Sequence, residues 1–202
     1  MVMMNKTYFT ITNLQNDNYF SYFTEAKYIF RFLDFENPEN VYIRRVHVLK
    51  NMPDSKIIID TNTKKYYADK TILGEKHDLR NRKTYDYILQ YGVDLKMDNS
   101  NILLWACYYG YTDLVSHLIK LGLDPKNDNA LIYACKGQNI NVIKYLIENN
   151  ANPIIKSNEP INIASIKGNL EIVKYLISVG ADKNVALLNF KLYGHHKIMD
   201  LI

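Results

Sequence analysis

The chain has 202 residues, 48% of them hydrophobic, and a formal net charge of +4. This is ordinary globular material, enough for one or two domains. No apolar run approaches the ~18 residues of a membrane span, and Met1 to Leu14 has no apolar signal core, so neither a membrane-spanning nor an exported chain is expected.

Thr7-Tyr8-Phe9-Thr10-Ile11 is rich in aromatic and β-branched residues and predicts a strand. Asn13 to Asn18 predicts a turn. Thr24 is placed to cap a helix running through Lys27 to Leu33, which Asn37-Pro38-Glu39-Asn40 interrupts. Val41 to Leu49 is the clearest strand. Its alternation fails at Arg44-Arg45, which predicts a bulge or an edge there. Asn51 to Ser55 predicts another turn. Lys56-Ile57-Ile58-Ile59 and Lys64-Lys65-Tyr66-Tyr67 flank Asp60-Thr61-Asn62-Thr63, a hairpin signal. Ala68 to Leu73 adds a short strand. Residues 1–82 therefore predict a small α+β domain of unknown role.

A different grammar begins near residue 83. Tyr91-Gly92-Val93-Asp94, Leu121-Gly122-Leu123-Asp124, Asn149-Asn150-Ala151-Asn152 and Val179-Gly180-Ala181-Asp182 recur every 30, 28 and 30 residues. Such a period marks a stacked-repeat architecture, in which no unit buries its own apolar face. With Ala106, Ala134 and Ala164 as anchors, Leu114-Val115, Val142-Ile143 and Ile172-Val173 lie eight and nine residues later. Leu118-Ile119, Leu146-Ile147 and Leu176-Ile177 lie twelve and thirteen later. These offsets make one face of a helix. Ser116, Lys144 and Lys174, at ten after the anchor, should face water. An earlier apolar cluster such as Leu103-Leu104-Trp105-Ala106 makes a first, shorter helix. The second helix should stop at Gly92, Gly122, Asn150 and Gly180, where a residue at positive φ is needed and Asn is the usual substitute for Gly. The Asp or Asn two residues later suits a tight turn.

These residues resemble the ankyrin repeat. The third unit carries the likeness most fully, with Pro160-Ile161-Asn162-Ile163-Ala164, then Gly168-Asn169-Leu170-Glu171-Ile172-Val173-Lys174-Tyr175-Leu176-Ile177, then Gly180-Ala181-Asp182. Asn101-Ile102 and Asn129-Ala130 replace the usual Thr-Pro of the first and second units, and the glycine of the second is shifted to Gly137. The resemblance implies a mostly α fold, an ankyrin solenoid of about three full repeats with worn terminal ones behind the small N-terminal domain. The repeats divide as 83–97 (partial), 98–126, 127–155, 156–183 and 184–202 (partial). Short spacing before each anchor implies stubby fingers tipped by Asn99-Ser100, Asn127-Asp128 and Ser157-Asn158. The last partial unit ends on Leu201-Ile202, an apolar end that either packs inward or makes contacts. Residues 1–82 are in turn similar to the module that precedes ankyrin arrays in mimivirus-type giant viruses, on Thr24 to Phe30, Val41 to Val46 and Lys65 to Leu73. A viral protein working in the host cytoplasm is the corresponding expectation.

Chemistry is sparse. Cys107 and Cys135 fill one slot in adjacent repeats. Helices stack ~8–10 Å apart, beyond the ~7 Å reach of a disulfide, so both should be reduced thiols. His117 replaces the tyrosine of other repeats, His195-His196 sits at a repeat turn, and His47 and His77 belong to no metal motif. No phosphate-binding glycine loop or nucleophile elbow occurs. Catalytic residues, cofactor and metal are therefore not expected, nor is an enzyme. Residues 98–183 balance eight Lys against eight Asp/Glu, while residues 1–97 hold fifteen Lys/Arg against twelve acids. Arg44, Arg45, Lys50, Lys64, Lys65, Tyr66 and Tyr67 could make a basic-aromatic face, but the excess is slight and nucleic acid is not an expected partner.

The resemblance implies a non-enzymatic protein-interaction module that binds a host or viral protein on the concave side of its first helices. The positions two and three after the anchor point there. The expected partner contacts are Tyr108, Tyr109, Lys136, Ile166 and Lys167, with Gly137 beside them. The expected oligomeric state is a monomer. The alternatives are a decaying paralogue without a dedicated partner, suggested by the worn repeats, or an enzyme with its site in residues 1–82.

Overall fold

The computed structural model describes residues 6–12 and 22–202. The turn expected at Asn13 to Asn18 lies outside them. The chain divides into two compact units, residues 1–102 and 103–202.

In the first unit β1 (Tyr8–Thr12), β2 (Thr24–Glu25), β3 (Tyr42–Val48), β6 (Thr71–Leu73) and β7 (His77–Asp78) form one sheet. β3 is its hub, antiparallel to β1 along one side and to β6 and β7 along the other. A separate hairpin joins β4 (Ile57–Asp60) and β5 (Lys65–Ala68). Its loop forms as the sequence predicts, with the Asp60 carboxylate accepting from Asn62 N, Thr63 N and Thr63 Oγ1.

The sheet is covered on both faces, which is why alternation along β3 fails. On one face Tyr8 and Val46 pack with Phe23 and with Tyr66 of the hairpin. On the other, Phe9 meets Tyr91 at 5.9 Å, and the Arg45 guanidinium lies 4.7 Å from the Tyr91 ring. Helix α1 (Lys83–Leu89) belongs to this second layer, with the Tyr87 ring stacked on His77 at 3.9 Å. The Tyr85 hydroxyl donates to Leu79 O from a fully buried position.

Two sequence expectations are corrected here. β3 is neither bulged nor an edge, because its register with β1 runs unbroken from Tyr42 to Val46. The extra residue lies in the partner: Val46 pairs with Leu73 and Ile43 with His77, so Gly74-Glu75-Lys76 face only Arg44-Arg45. Arg44 Nε donates to Gly74 O and Gly74 N to Arg45 O, both at 2.8 Å. Nor does Thr24 cap a helix. It sits in β2 and its hydroxyl donates to Lys64 O, while the segment Ala26–Phe32 is a 3-10 helix. Tying Thr24 to the hairpin satisfies its hydroxyl in a fully buried site.

The second unit is helical. The division between the units falls inside α2 (Met97–Tyr109), which is followed by α3 (Thr112–Lys120), α4 (Asp128–Lys136), α5 (Ile140–Glu148), α6 (Ile155–Ile166), α7 (Leu170–Ser178) and α8 (Lys183–Leu192). Helix α4 packs on α6 and α6 on α8, while α3 packs on α5. Val142, Ile143, Leu146 and their counterparts Ile172, Val173 and Leu176 are fully buried, each stabilising the stack by about 1.5–3 kcal/mol.

The repeat punctuation is physical. Gly122, Asn150 and Gly180 all have positive φ after the second helix, with Asn150 at +69°. The following Asp124, Asn152 and Asp182 side chains each accept from the backbone N–H two residues on, at 2.8–3.0 Å. The anchor carbonyls of Ala106, Ala134 and Ala164 accept from Tyr111, Asn139 and Asn169 N. Phe190 O accepts from His195 N in the same way, which places Phe190 in the anchor slot of the worn last repeat.

Two fingers hold a feature that the sequence did not announce. Asp98, Asn99 and Ser100 are consecutively left-handed, as are Lys156, Ser157 and Asn158. Such residues cost about 1–2 kcal/mol each. The intervening repeat lacks the turn, and its path from Asp124 to Ala134 is two residues shorter than from Asp94 to Ala106. There, Asn127 simply caps α4. In the first unit the left-handed turn is braced where the Arg31 guanidinium grips the Asp98 carboxylate with two hydrogen bonds of 2.9 and 3.0 Å.

Candidate protein-binding surface

Successive repeats are joined at their turns by side chains reaching backward. Asn139 Nδ2 donates to Tyr108 O at 2.7 Å and to Cys107 O at 3.2 Å. Asn169 Nδ2 donates to Gln138 Oε1, and His195 Nε2 lies 2.9 Å from Ile166 O. His195, at the repeat turn where the sequence places it, thus ties the last repeat to the one before. Along the second helices, the Tyr145 hydroxyl donates to Ser116 Oγ, and Lys144 Nζ stands 5.7 Å from the Tyr175 ring. Ser116 and Lys144 are thus half-buried rather than turned to water. Only Lys174 of that trio is exposed.

The expected contact residues lie at these turns. Tyr108 and Tyr109 are half-buried, their rings perpendicular at 5.1 Å. Tyr109 also packs against Trp105 and stacks on Tyr111, and Tyr108 reaches Tyr133 of the next repeat at 6.5 Å. Lys136 is exposed, its ammonium 4.8 Å from the Tyr133 ring. One cluster therefore holds Trp105, Tyr108, Tyr109, Tyr111, Tyr133 and Lys136. Ile166 is half-buried and Lys167 exposed on the following repeat.

Tyr111 and Tyr133 were missed by the sequence reading. The signals were present: Tyr111 follows Tyr108-Tyr109-Gly110, and Tyr133 shares with Trp105 the slot just before an anchor alanine. T-shaped and offset ring pairs of this kind add about 0.5–1.5 kcal/mol beyond their burial. They also hold the exposed ring edges in fixed positions.

Cys107 and Cys135 are free, buried thiols. Burial raises both, Cys135 to about 12 and Cys107 further, so neither ionises near neutrality. Among the described residues, no group of three or more His, Cys, Asp or Glu side chains could hold a metal ion.

The basic-aromatic residues of the first unit do not share one face. Arg45 lies over Tyr91, Tyr66 is buried with its hydroxyl on Glu25 Oε1, and Lys65 Nζ stands 4.1 Å from the Tyr22 ring. A shallow pocket is lined by Lys6, Tyr8, Arg45, His47 and Lys50, with the Lys6 ammonium paired to Glu25 at 2.6 Å.

Residues 103–186 match the family of ankyrin repeats in three copies. A protein named as an ankyrin repeat protein of Acanthamoeba polyphaga mimivirus is 33% identical over 99 residues, 49% of this chain and 46% of that protein. An uncharacterized protein of the same virus is 32% identical over 98 residues, 48% of this chain and 67% of its own length. A further mimivirus ankyrin repeat protein is 29% identical over 158 residues, 78% of this chain and 20% of that protein. The last alignment is longer than the second unit, so the likeness extends into the first. The chain spans under half the length of the first two curated relatives it matches, 46% and 38%. It belongs to the ankyrin-repeat proteins and is similar to these mimivirus relatives. Ankyrin repeats in general mediate protein–protein interaction and are not typically enzymes.

Proposed function

We propose that this chain is a non-enzymatic docking module that binds a host or viral protein through the turn-proximal surface of its repeats. The observation that carries this reading is the aromatic cluster. Two half-buried tyrosines stand two and three residues after an anchor alanine, held by Trp105 and Tyr111 within the repeat and by Tyr133 from the next. Rigid aromatic groups with exposed edges have the character of interface hot spots. They lose little conformational entropy on binding, because their neighbours already hold them. Lys136, Ile166 and Lys167 extend the surface along the stack and supply charge at its margin.

The test is the double substitution Tyr108→Ala with Tyr109→Ala. Hot-spot truncations cost about 2 kcal/mol or more, so partner capture from infected host cells should fall at least roughly tenfold. The far-ultraviolet spectrum and a cooperative melt should be retained. Capture at the wild-type level would overturn the assignment of this surface.

A further inference from the structure

We infer that the β4 strand is a homodimerisation edge, on which a second copy of this chain docks its own β4 in antiparallel register centred on Ile58. Among the described residues β4 pairs only with β5, so its other side is unpaired. The direction of its backbone groups follows from the opposite margin of the hairpin. Tyr66 N and O are bonded to Phe23 O and N, so they point away from β4. Tyr66 is the cross-strand partner of Ile59. In an antiparallel ladder, a pair whose backbone groups do not bond each other points them outward on both strands. The N–H and C=O of Ile59 therefore point outward, and two residues along so do those of Ile57.

The segment Lys56-Ile57-Ile58-Ile59-Asp60 is complementary to itself when reversed. Centred on Ile58, each outward-facing Ile57 opposes Ile59 of the second copy, which is the pairing that exchanges both backbone bonds. Lys56 opposes Asp60 of the second copy, at both ends. Opposite charges across a strand pair stabilise it and like charges oppose it. Hydrogen-bond parity and charge thus select the same two-fold arrangement, the self-complementary patch that a closed dimer requires.

The side chains fit this reading. Ile58 is 67% exposed and shares its face of the hairpin with the partly exposed Tyr67, so the two-fold would join both residues from each copy into one apolar cluster. β4 has neither a proline nor a bulge in its register, two of the devices that blunt exposed edges. The strand is short, so the association is concentration-dependent. A dimer formed here departs from the monomer expected from the sequence and would carry two repeat stacks.

Sedimentation of the full-length chain across a dilution series should show a reversible monomer–dimer equilibrium. Ile58→Cys places a thiol on the two-fold, where opposed side chains of a non-bonded pair come closest. Mild oxidation should yield an intermolecular disulfide, with the buried Cys107 and Cys135 taking no part. Ile72→Cys, on the exposed Ile72 of β6, should form no intermolecular disulfide under the same oxidation. Ile58→Lys sets two ammonium groups against each other and should raise the dimer dissociation constant roughly tenfold or more, with an unchanged melt because the side chain is exposed. A monomer at every concentration would overturn the proposal and leave the edge to another strand donor. Equal cross-linking of the two cysteine variants, or of neither, would overturn it as well.

Discussion

The two halves of this chain are stabilised in different ways. In residues 103–202 each helix pair leans on the next, and the same few interactions recur: an anchor carbonyl closing the turn, a side chain reaching back one repeat, an Asp or Asn closing the next turn. Among the described residues before Lys83 no such set recurs. The sheet gathers β1, β3, β6 and β7 from distant parts of the sequence and is covered on both faces by different elements. Repetition makes each slot comparable with its neighbours. A Gly replaced by Asn150, or an Ala replaced by Phe190, is then interpretable from position alone. A non-repeating sheet offers no such internal control, and a residue's role there depends on what happens to cover it.

The largest test of that contrast is at the repeat turns. A Cβ at Gly137 would fall 1.8 Å from Tyr108 O of the preceding repeat, whereas one at Gly122 meets nothing within 4 Å. Gly122 has φ +95° and Gly137 has φ −79°. Gly137→Ala therefore tests close packing at the turn without backbone strain and should cost about 3 kcal/mol or more in urea unfolding. Gly122→Ala tests backbone strain alone and should cost about 1–2 kcal/mol. Equal costs would show that the backward contact at the turn contributes little.

A smaller effect separates slot from residue at Asn150. Its φ of +69° favours Gly or Asn. Asn150→Ala should lose about 1 kcal/mol, and Asn150→Gly should lie within about 0.5 kcal/mol of the natural chain. The ordering of the two, read from denaturant midpoints, sharpens the claim that position in the repeat decides the residue.

The smallest effect lies in the first unit and concerns acid. Burial alone would raise the Glu25 carboxyl. Hydrogen bonds from Lys6 Nζ and the Tyr66 hydroxyl, with the charges of Lys6 and Lys27, instead hold it below its ordinary value. A depressed folded-state value stabilises the fold above the unfolded-state value and loses that contribution as pH falls through the folded one. Melting followed from neutral pH to below the ordinary glutamate range should show this loss. Glu25→Gln should flatten that part of the profile, and an unchanged acid limb would remove Glu25 from the account.

Legibility followed the same divide. The second helices, their stops, the Asx turns and the unpaired cysteines could all be read from spacing, since each depends on the chain within one repeat. The hairpin at Asp60 to Lys65 was equally legible, because its loop is closed by its own aspartate. Thr24, Arg44-Arg45, Ser116 and Lys144 were not. Each is partnered from elsewhere: Lys64 O, the three-residue detour at Gly74, Tyr145 and Tyr175. Of the candidate surface, Tyr108 and Tyr109 were found by position. Tyr111 and Tyr133 became part of it only when the turn folded back and the next repeat arrived.

By itself the sequence determined the period, the helix pairs, their ends and the family, because those rest on local backbone preference and on apolar spacing within one unit. Tertiary structure alone decided the left-handed fingers, the two-sided cover of β3, the aromatic cluster and the open edge of β4. The reason is that a side chain's exposure and a backbone group's direction depend on segments that approach it from far along the chain, and no local pattern encodes what those segments will cover.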